Sequence, residues 1–139
     1  MALDCSLLAH ALLPTQRTEE AVGALREINL QGHELVAAAV LFVEFPSLLR
    51  RMVARGQLDR ADGEAIFDIF RRLPIRSVNT SPGNLQRAWD LSKTLGQSDT
   101  FDSMGYAIAE SENAAFWTSD QRFTNAAKTK NLSHIRRFA

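Results

Sequence analysis

The sequence has almost no cysteine, no net charge and no long hydrophobic run, and each absence excludes a class of protein. Cys5 is the only cysteine among 139 residues, which excludes a disulfide framework and a cysteine-based zinc motif. The longest apolar run, Leu35–Val43, is far too short to cross a bilayer, and Asp4 interrupts any secretory signal core. We therefore expect a cytoplasmic protein without a membrane partner.

The balance of charge and the spacing of the histidines bear on two further functions, nucleic-acid binding and metal binding through histidine. Sixteen Lys and Arg residues balance sixteen Asp and Glu residues, so the net charge gives no argument for binding nucleic acid. The three histidines, His10, His33 and His134, do not fall at the spacing of metal ligands. The remaining composition, 45% apolar and 23% charged, is ordinary for a soluble globular protein. The length fits one domain that spans residues 1–139.

Hydrophobic periodicity divides the chain into short strands separated by helices. Strands are expected at Ala2–Cys5, Glu34–Ala38, Pro74–Val78, Ala114–Thr118 and Leu132–Arg136. Helices are expected around Leu7–Leu12 and over Thr18–Leu30, Val40–Arg55, Arg60–Leu73, Pro82–Leu95, Thr100–Glu112 and Gln121–Ala127. Thr18 is expected to cap the second of these helices, and Asp99 or Thr100 the sixth. The apolar positions of these helices should face the core, including Ile69, Leu85, Trp89 and Phe101. This alternation predicts an α/β fold around a parallel sheet of about five strands.

Pro46 leaves two interpretations of the helix that carries Glu44. Inside a helix, proline removes the hydrogen bond to the carbonyl of Phe42 and causes a kink. The helix either runs from about Val40 with a bend, which we favour, or begins near Phe45 with Pro46 in its first turn. The direction of the Glu44 side chain depends on this choice.

Four acidic residues lie at positions that the predicted fold would bring together. Asp4 ends the first strand, and Asp120 follows the strand Ala114–Thr118, so both belong to the carboxyl edge of the sheet. Asp102 lies in the first turn of a helix, and Glu44 interrupts an otherwise apolar helical stripe. Taken singly, each acid is also explained as a helix cap or a solvated turn residue.

Carboxylates that converge in this way repel one another, which raises the pKa of some of them. A divalent cation removes the repulsion, and hard oxygen ligands select Mg²⁺ or Mn²⁺ over zinc. Such a cation lowers the pKa of a bound water and stabilises charge that develops on a phosphodiester. The residues therefore indicate a metal-dependent nuclease centre.

Four segments of the chain, in the same order and spacing, resemble the PIN domain, and in particular the VapC-type toxin ribonucleases. They are Leu3–Leu8, Val40–Arg55, Thr100–Ala109 and Trp117–Phe123, and the resemblance covers essentially the whole chain. It implies a three-layer α/β/α fold and endonucleolytic cleavage of RNA by a water that Mg²⁺ or Mn²⁺ activates. The products would carry a 5′-phosphate and a 3′-hydroxyl.

The resemblance also implies roles for single residues. The acidic quartet of the family is matched by Asp4, Glu44, Asp102 and Asp120. Asp4, Asp102 and Asp120 would hold the metal, while Glu44 would serve a second metal position or orient the attacking water. Ser6 and Thr118 match hydroxyl residues beside the quartet, as possible substrate contacts. Two departures from the family pattern are Pro46 and Ser103, the latter replacing a usual alanine.

Partners are expected on the same basis. The resemblance implies a small antitoxin in the groove beside the acids, and a homodimer. Among basic residues, those close in sequence to Asp120 are the favoured phosphate contacts, with Arg50, Arg51 and Arg55 as a second choice; the favoured set is Arg122, Lys128, Lys130 and Arg136.

Other functions are weighed against this one. A receiver domain would need paired acids after the first strand, and a haloacid-dehalogenase-type phosphatase would need an aspartate where Ser6 stands. The main alternative is a non-catalytic PIN-like module that binds RNA or protein, which the presence of all four acids disfavours.

Overall fold

The computed structural model describes residues 1–137, in which helices and strands alternate along the chain. The strands are β1 (Ala2–Leu3), β2 (Leu35–Ala38), β3 (Ile75–Val78), β4 (Phe116–Thr118) and β5 (Ile135–Arg137). The helices are α1 (Cys5–Leu12), α2 (Thr18–Leu30), α3 (Leu41–Ala54), α4 (Arg60–Phe70), α5 (Pro82–Leu95), α6 (Phe101–Ser111) and α7 (Gln121–Thr129).

All five strands form one parallel sheet in the order β3-β2-β1-β4-β5. The chain builds outward from β1 through β2 to β3, and then crosses to the other side of β1 for β4 and β5. The strand order therefore reverses between β1 and β4. In open α/β sheets, ligands bind at the carboxyl edge beside such a reversal, where the crossover loops separate. The predicted α/β class is confirmed.

Helices cover both faces of the sheet, because neighbouring residues of a strand point to opposite sides. One face packs against α1 to α4, in a core that includes Leu3, Leu7, Ala21, Phe45 and Phe70. The other face packs against α5 to α7, in a core that includes Ala2, Leu91, Tyr106, Phe116 and Phe123. The expected three layers are therefore present. No helix in residues 1–137 is long and apolar enough to cross a membrane.

The helix that carries Glu44 follows the favoured interpretation. α3 begins at Leu41, after Val40, and runs through Pro46 to Ala54. The backbone N–H of Glu44 donates to the carbonyl of Val40 at 2.9 Å, so Glu44 lies in the first turn of the helix. That turn directly follows β2, which brings Glu44 to the carboxyl edge of the sheet.

Several predicted boundaries were wrong by a few residues. The first strand ends at Leu3 instead of Cys5, because Asp4 is extended and Cys5 begins α1. Thr18 was expected to cap α2 but is its first residue, and its Oγ1 accepts the N–H of Thr15 at 2.9 Å. The last two strands also begin later than predicted, at Phe116 and Ile135.

Four apolar side chains that were expected in the core are exposed instead. Leu85 and Trp89 on α5 are each 56% exposed, Ile69 is 52% exposed and Phe101 is 47% exposed. The buried stripe of α5 consists of Ala88, Leu91 and Ser92, on the side turned toward α6. The apolar residues of α5 cover a wider face than the part of the helix that is buried, so those at one edge of this face are exposed to solvent.

Candidate metal centre

Asp4 is the buried centre of the site, with only 8% of its surface exposed. It lies at the reversal of strand order, between the end of β1 and the start of α1. Its Oδ2 accepts hydrogen bonds from the hydroxyls of Ser6 and Thr118, the second at 2.7 Å. Burial raises the pKa of Asp4, while the hydrogen bonds from Ser6 and Thr118 oppose that rise.

The two hydroxyls have a fixed hydrogen-bond direction. Ser6 Oγ accepts the backbone N–H of Ser119 at 3.0 Å, and Thr118 Oγ1 accepts that of Asp120 at 3.0 Å. An N–H group can only donate, so each hydroxyl proton remains available for Asp4. Ser6 and Thr118 therefore connect the carboxylate of Asp4 to the turn after β4. Contact of either hydroxyl with a substrate stays a prediction.

Asp120 lies between β4, the strand next to β1, and the start of α7. Its Oδ1 accepts the backbone N–H of Phe123 at 2.8 Å, which makes it the N-cap of the helix. The alternative explanation of an acid as a helix cap is therefore correct for Asp120, through one of its two carboxylate oxygens. Its Oδ2 has no hydrogen-bond partner among residues 1–137.

Asp102 and Asp120 line a cavity of about 280 Å³ at this edge of the sheet. Asp102 lies in the first turn of α6, where its Oδ2 accepts a hydrogen bond from Nε2 of Gln97 at 3.3 Å. The other lining residues come from the end of α5, the loop before α6 and α7, namely Leu95, Gly96, Gln97, Ser98, Asp99, Arg122, Phe123 and Ala126.

The carboxylates are close enough to shift one another's pKa. Burial and the charge of Asp4, followed by those of Asp120, Asp99 and Glu44, raise the pKa of Asp102 to about 7. Burial and the charges of Asp4 and Asp99 raise the pKa of Glu44 to about 7, against the opposing charge of Arg51. The fold therefore brings all four predicted acids into one electrostatic unit.

The donor set of this unit suits a hard divalent cation, since every predicted ligand offers carboxylate oxygens. In residues 1–137, however, no three His, Cys, Asp or Glu side chains stand close enough together to hold an ion as they are. An ion would require the carboxylates to draw closer, and their mutual repulsion opposes this in the absence of positive charge. The assignment of Asp4, Asp102 and Asp120 as ligands stays a prediction.

The structure brings only one of the favoured basic residues to the acids. Arg122, in the first turn of α7, lines the cavity with Asp120. Lys128 and Lys130 are exposed at the opposite end of that helix, and Arg136 lies on the edge strand β5, beside Trp117. Of the second-choice arginines, Arg51 lies near enough to lower the pKa of Glu44.

Two residues of the site were not predicted as functional. Asp99 was expected only as a helix cap; it accepts the N–H of Phe101 at 3.1 Å, and its charge also raises the pKa of Glu44 and Asp102. Its position three residues before Asp102 could have identified Asp99 from the sequence as a residue of the site. No sequence pattern indicates a role for Gln97, because its contact with Asp102 depends on the turn at Gly96.

Comparison with known proteins agrees with this geometry. The family model described as the PIN domain matches residues 1–129. The VapC ribonuclease Mb0985 of Mycobacterium bovis is 30% identical over 106 residues, which cover 72% of this chain and 80% of that protein. The ribonuclease VapC9 of Mycobacterium tuberculosis matches with the same identity and coverage.

Two solved structures share the fold. A chain in the crystal structure of VapBC2 from Rickettsia felis, bound to a DNA fragment from the promoter, superposes with a TM-score of 0.71 at 13% identity, covering 99% of this chain and 97% of that one. For FitAcB from Neisseria gonorrhoeae the TM-score is 0.69 at 16% identity, with 99% and 95% covered. Because the family model matches residues 1–129 and the VapC relatives are 30% identical over 72% of the chain, the chain belongs to the PIN domain family, among relatives of the VapC type.

Proposed function

We propose that this chain is a Mg²⁺- or Mn²⁺-dependent endoribonuclease and the toxin of a type II toxin–antitoxin pair. The convergence of Asp4, Glu44 and Asp102 at the reversal of strand order carries the proposal. Carboxylates that raise one another's pKa lower the stability of the fold. Binding of a cation accounts for an arrangement that is destabilising without one. The names of the curated relatives, VapC ribonucleases, support the same reaction.

Each acid has a distinct part in the proposed reaction. Asp4, Asp102 and Asp120 would hold the metal, and two of them have an oxygen without a hydrogen-bond partner in the described chain: Oδ1 of Asp102 and Oδ2 of Asp120. When bound, the metal lowers the pKa of a water and stabilises charge on the phosphodiester. Glu44 is half-buried, and its side chain makes no hydrogen bond in residues 1–137; it would orient the attacking water or serve a second metal.

The RNA would pass over the cavity that Asp102 and Asp120 share. Arg122 at the cavity wall is the residue best placed to contact a phosphate beside the scissile bond. Lys128, Lys130 and Arg136 would contact the strand farther along, if it follows α7 toward the edge of the sheet.

The antitoxin, which the resemblance implies in the groove beside the acids, would place its apolar part in a groove of about 270 Å³ between α3, the helix that carries Glu44, and α4. Its apolar wall consists of Pro46, Leu49, Val53 and Phe67, and the charged lining residues are two arginines and one glutamate, namely Arg50, Arg60 and Glu64. A groove of this kind suits an amphipathic segment that carries acidic residues. The two structural neighbours are chains of VapBC2 and FitAcB, and these two-component names support a protein partner.

The proposed homodimer would use the apolar side chains that the fold leaves exposed. Val43 on α3, Leu85 and Trp89 on α5, and Phe101 on α6 are between 47% and 67% exposed. Exposed apolar residues of this size favour an interface between proteins when they lie together.

Cleavage of a structured RNA by the purified protein tests the reaction. We expect cleavage in Mg²⁺ and none in EDTA, with loss of activity in Asp4→Asn and Asp102→Asn, because both substitutions remove ligand charge. Asp90→Asn, at an exposed carboxylate of α5 outside the site, is the matched control and should keep full activity. Expression in cells beside the Asp4→Asn variant, followed by mapping of new 5′ ends, would identify the target RNA.

Full activity of Asp102→Asn, in a preparation freed of contaminating nucleases, would contradict the assignment. RNA binding by the wild-type protein without cleavage in either metal would instead favour the non-catalytic alternative. Products with a 2′,3′-cyclic phosphate would show attack by the 2′-hydroxyl of the RNA and would contradict attack by a metal-activated water.

A further inference from the structure

Gln97 joins two groups at the edge of the proposed metal centre. Its Nε2 donates to Oδ2 of Asp102 at 3.3 Å, and its Oε1 accepts a hydrogen bond from the hydroxyl of Ser103. Ser103 is fully buried in α6, next to Asp102 in the sequence. One side chain from the preceding loop therefore contacts both residues at the start of α6.

The chemistry of the three groups sets the direction of these bonds. A carboxylate can only accept hydrogen bonds, so the amide must turn its nitrogen toward Asp102. Its oxygen then faces Ser103, whose hydroxyl must donate. This orientation leaves Oδ1 of Asp102 without a hydrogen-bond partner in residues 1–137.

The backbone holds Gln97 in place for this contact. α5 ends at Gly96, whose φ of +66° lies in the left-handed region that favours glycine. The N–H of Gln97 then donates back to the carbonyl of Ser92 at 2.9 Å, which closes the end of the helix. The loop position is thus fixed before the side chain reaches Asp102.

We infer that Gln97, with Ser103 behind it, is a positioning residue that holds the carboxylate of Asp102 ready for the metal. The inference rests on the proposed metal centre. A neutral amide suits this task, because it orients the carboxylate without neutralising it. A Lys or Arg in its place would compete with the cation for the same charge. Groups that orient a metal ligand in this way commonly change metal affinity by about 10–100-fold when they are removed.

Binding of Mg²⁺ to the isolated protein, measured by calorimetry, tests the inference without reference to activity. Gln97→Leu should weaken Mg²⁺ binding by about tenfold. Ser103→Ala, which keeps Gln97 but releases its amide, should weaken binding by a smaller factor. In RNA cleavage, the half-saturating Mg²⁺ concentration should rise in the same order, while the rate at saturating Mg²⁺ stays unchanged.

Gln86→Leu is the matched control, because Nε2 of Gln86 donates to a carboxylate oxygen of Asp90 at 3.1 Å on the exposed face of α5. It removes the same kind of bond and should leave Mg²⁺ binding as in the wild type. If Gln97 only stabilises the fold, Gln97→Leu will lower the melting temperature of the metal-free protein and leave Mg²⁺ affinity unchanged, which overturns the inference. Should Gln97→Leu fail to fold, Ser103→Ala decides by the same criterion.

Asp102→Asn separates this inference from the proposed function. If the wild type binds Mg²⁺, Asp102→Asn does not, and Gln97→Leu binds like the wild type, only the role of Gln97 is wrong. If Asp102→Asn binds Mg²⁺ as well as the wild type, the metal centre itself is misassigned and both proposals fall.

Discussion

The carboxyl groups whose pKa the fold shifts form two sets, according to the direction of the shift. Exposed acids such as Glu34 and Asp68 have a lowered pKa, because Arg76 and Arg71 donate hydrogen bonds to them. Asp4, Glu44 and Asp102 have a raised pKa, because burial penalises their charged forms and, for Glu44 and Asp102, like charges lie nearby. Cations are placed beside the surface acids, while the buried cluster is left with an excess of negative charge.

This excess predicts how the stability of the metal-free protein depends on pH. The pKa values of Glu44 and Asp102 rise from 4.5 and 3.8 to about 7 on folding. Between these values the folded state binds more protons than the unfolded state, so the free energy of unfolding falls as pH rises. Urea unfolding in EDTA should therefore show lower stability at pH 8 than at pH 5.

The double variant Glu44→Gln/Asp102→Asn is the control for this pH dependence. Its stability should change less over the same range, because neither replacement titrates. Addition of Mg²⁺ at pH 8 should stabilise the wild type more than the double variant. Equal stability of the wild type at both pH values would mean that the two acids do not interact as the structure indicates.

The residues of the site were predictable to the extent that the sheet alone positions them. Asp4 and Asp120 follow two neighbouring parallel strands, so a correct strand pattern brings them together. Gln97 was not predictable, because its reach to Asp102 depends on a left-handed turn at Gly96 that places the next side chain. Neither hydrophobic periodicity nor motif spacing encodes that direction.

At the scale of elements, the close approach of α6 to β4 fixes where Asp102 stands. A Cβ atom on Gly105 of α6 would lie 2.5 Å from Cε2 of Phe116 and 2.9 Å from its Cζ. Phe116 is fully buried, so its ring has no space into which it can move. The helix that carries Asp102 is therefore seated directly on a strand of the sheet.

Gly105→Ala should destabilise the protein by about 1–3 kcal/mol, because the added methyl overpacks the core. Gly23→Ala in α2 is the matched control, since nothing lies within 4 Å of its added Cβ. That substitution should stabilise the protein by about 0.5–1 kcal/mol through the helix propensity of alanine. Denaturant unfolding measures both; a neutral Gly105→Ala would show that α6 can shift away from β4.

Helices were easier to predict than strands, because particular residue types mark where a helix begins and ends. α5 has Ser81 as its N-cap, Pro82 in its first turn and Gly96 at its end, and it was predicted over its observed range, Pro82–Leu95. β1 has only Ala2 and Leu3, and its end is set by pairing with neighbouring strands and by the start of α1. No local pattern in so short a segment separates strand from connection.

On the scale of the whole molecule, the apolar residues that remain exposed predict self-association. Leu85 and Trp89 lie one turn apart on α5 and are each 56% exposed. Leu85→Glu/Trp89→Glu should convert the proposed dimer to a monomer in light scattering at micromolar concentration. Leu30→Glu is the control, because Leu30 is 86% exposed at the end of α2 and is not among the residues of the proposed interface. A wild-type protein that is monomeric under the same conditions would exclude the dimer.

The distribution of charge over the molecule determines how it can bind RNA. With sixteen basic and sixteen acidic residues, the protein as a whole exerts no net attraction on a polyanion. Affinity must therefore come from a few basic residues close to the acids, and Arg122 is the favoured one that lines their cavity. Lys128 and Lys130 lie at the other end of α7 and would contact RNA only beyond the cleavage site.

Salt dependence of RNA binding separates these contributions. Each phosphate contact releases bound counterions, so removing one basic residue should reduce the slope of log affinity against log salt by about 1 or less. Arg122→Gln should flatten the slope by itself, and adding Lys128→Gln, Lys130→Gln and Arg136→Gln should flatten it further. The measurements belong in Ca²⁺, in the Asp4→Asn background, so that the RNA stays intact. If all four substitutions leave the slope unchanged, the RNA binds another face, and Arg51, beside Glu44, becomes the first residue to replace.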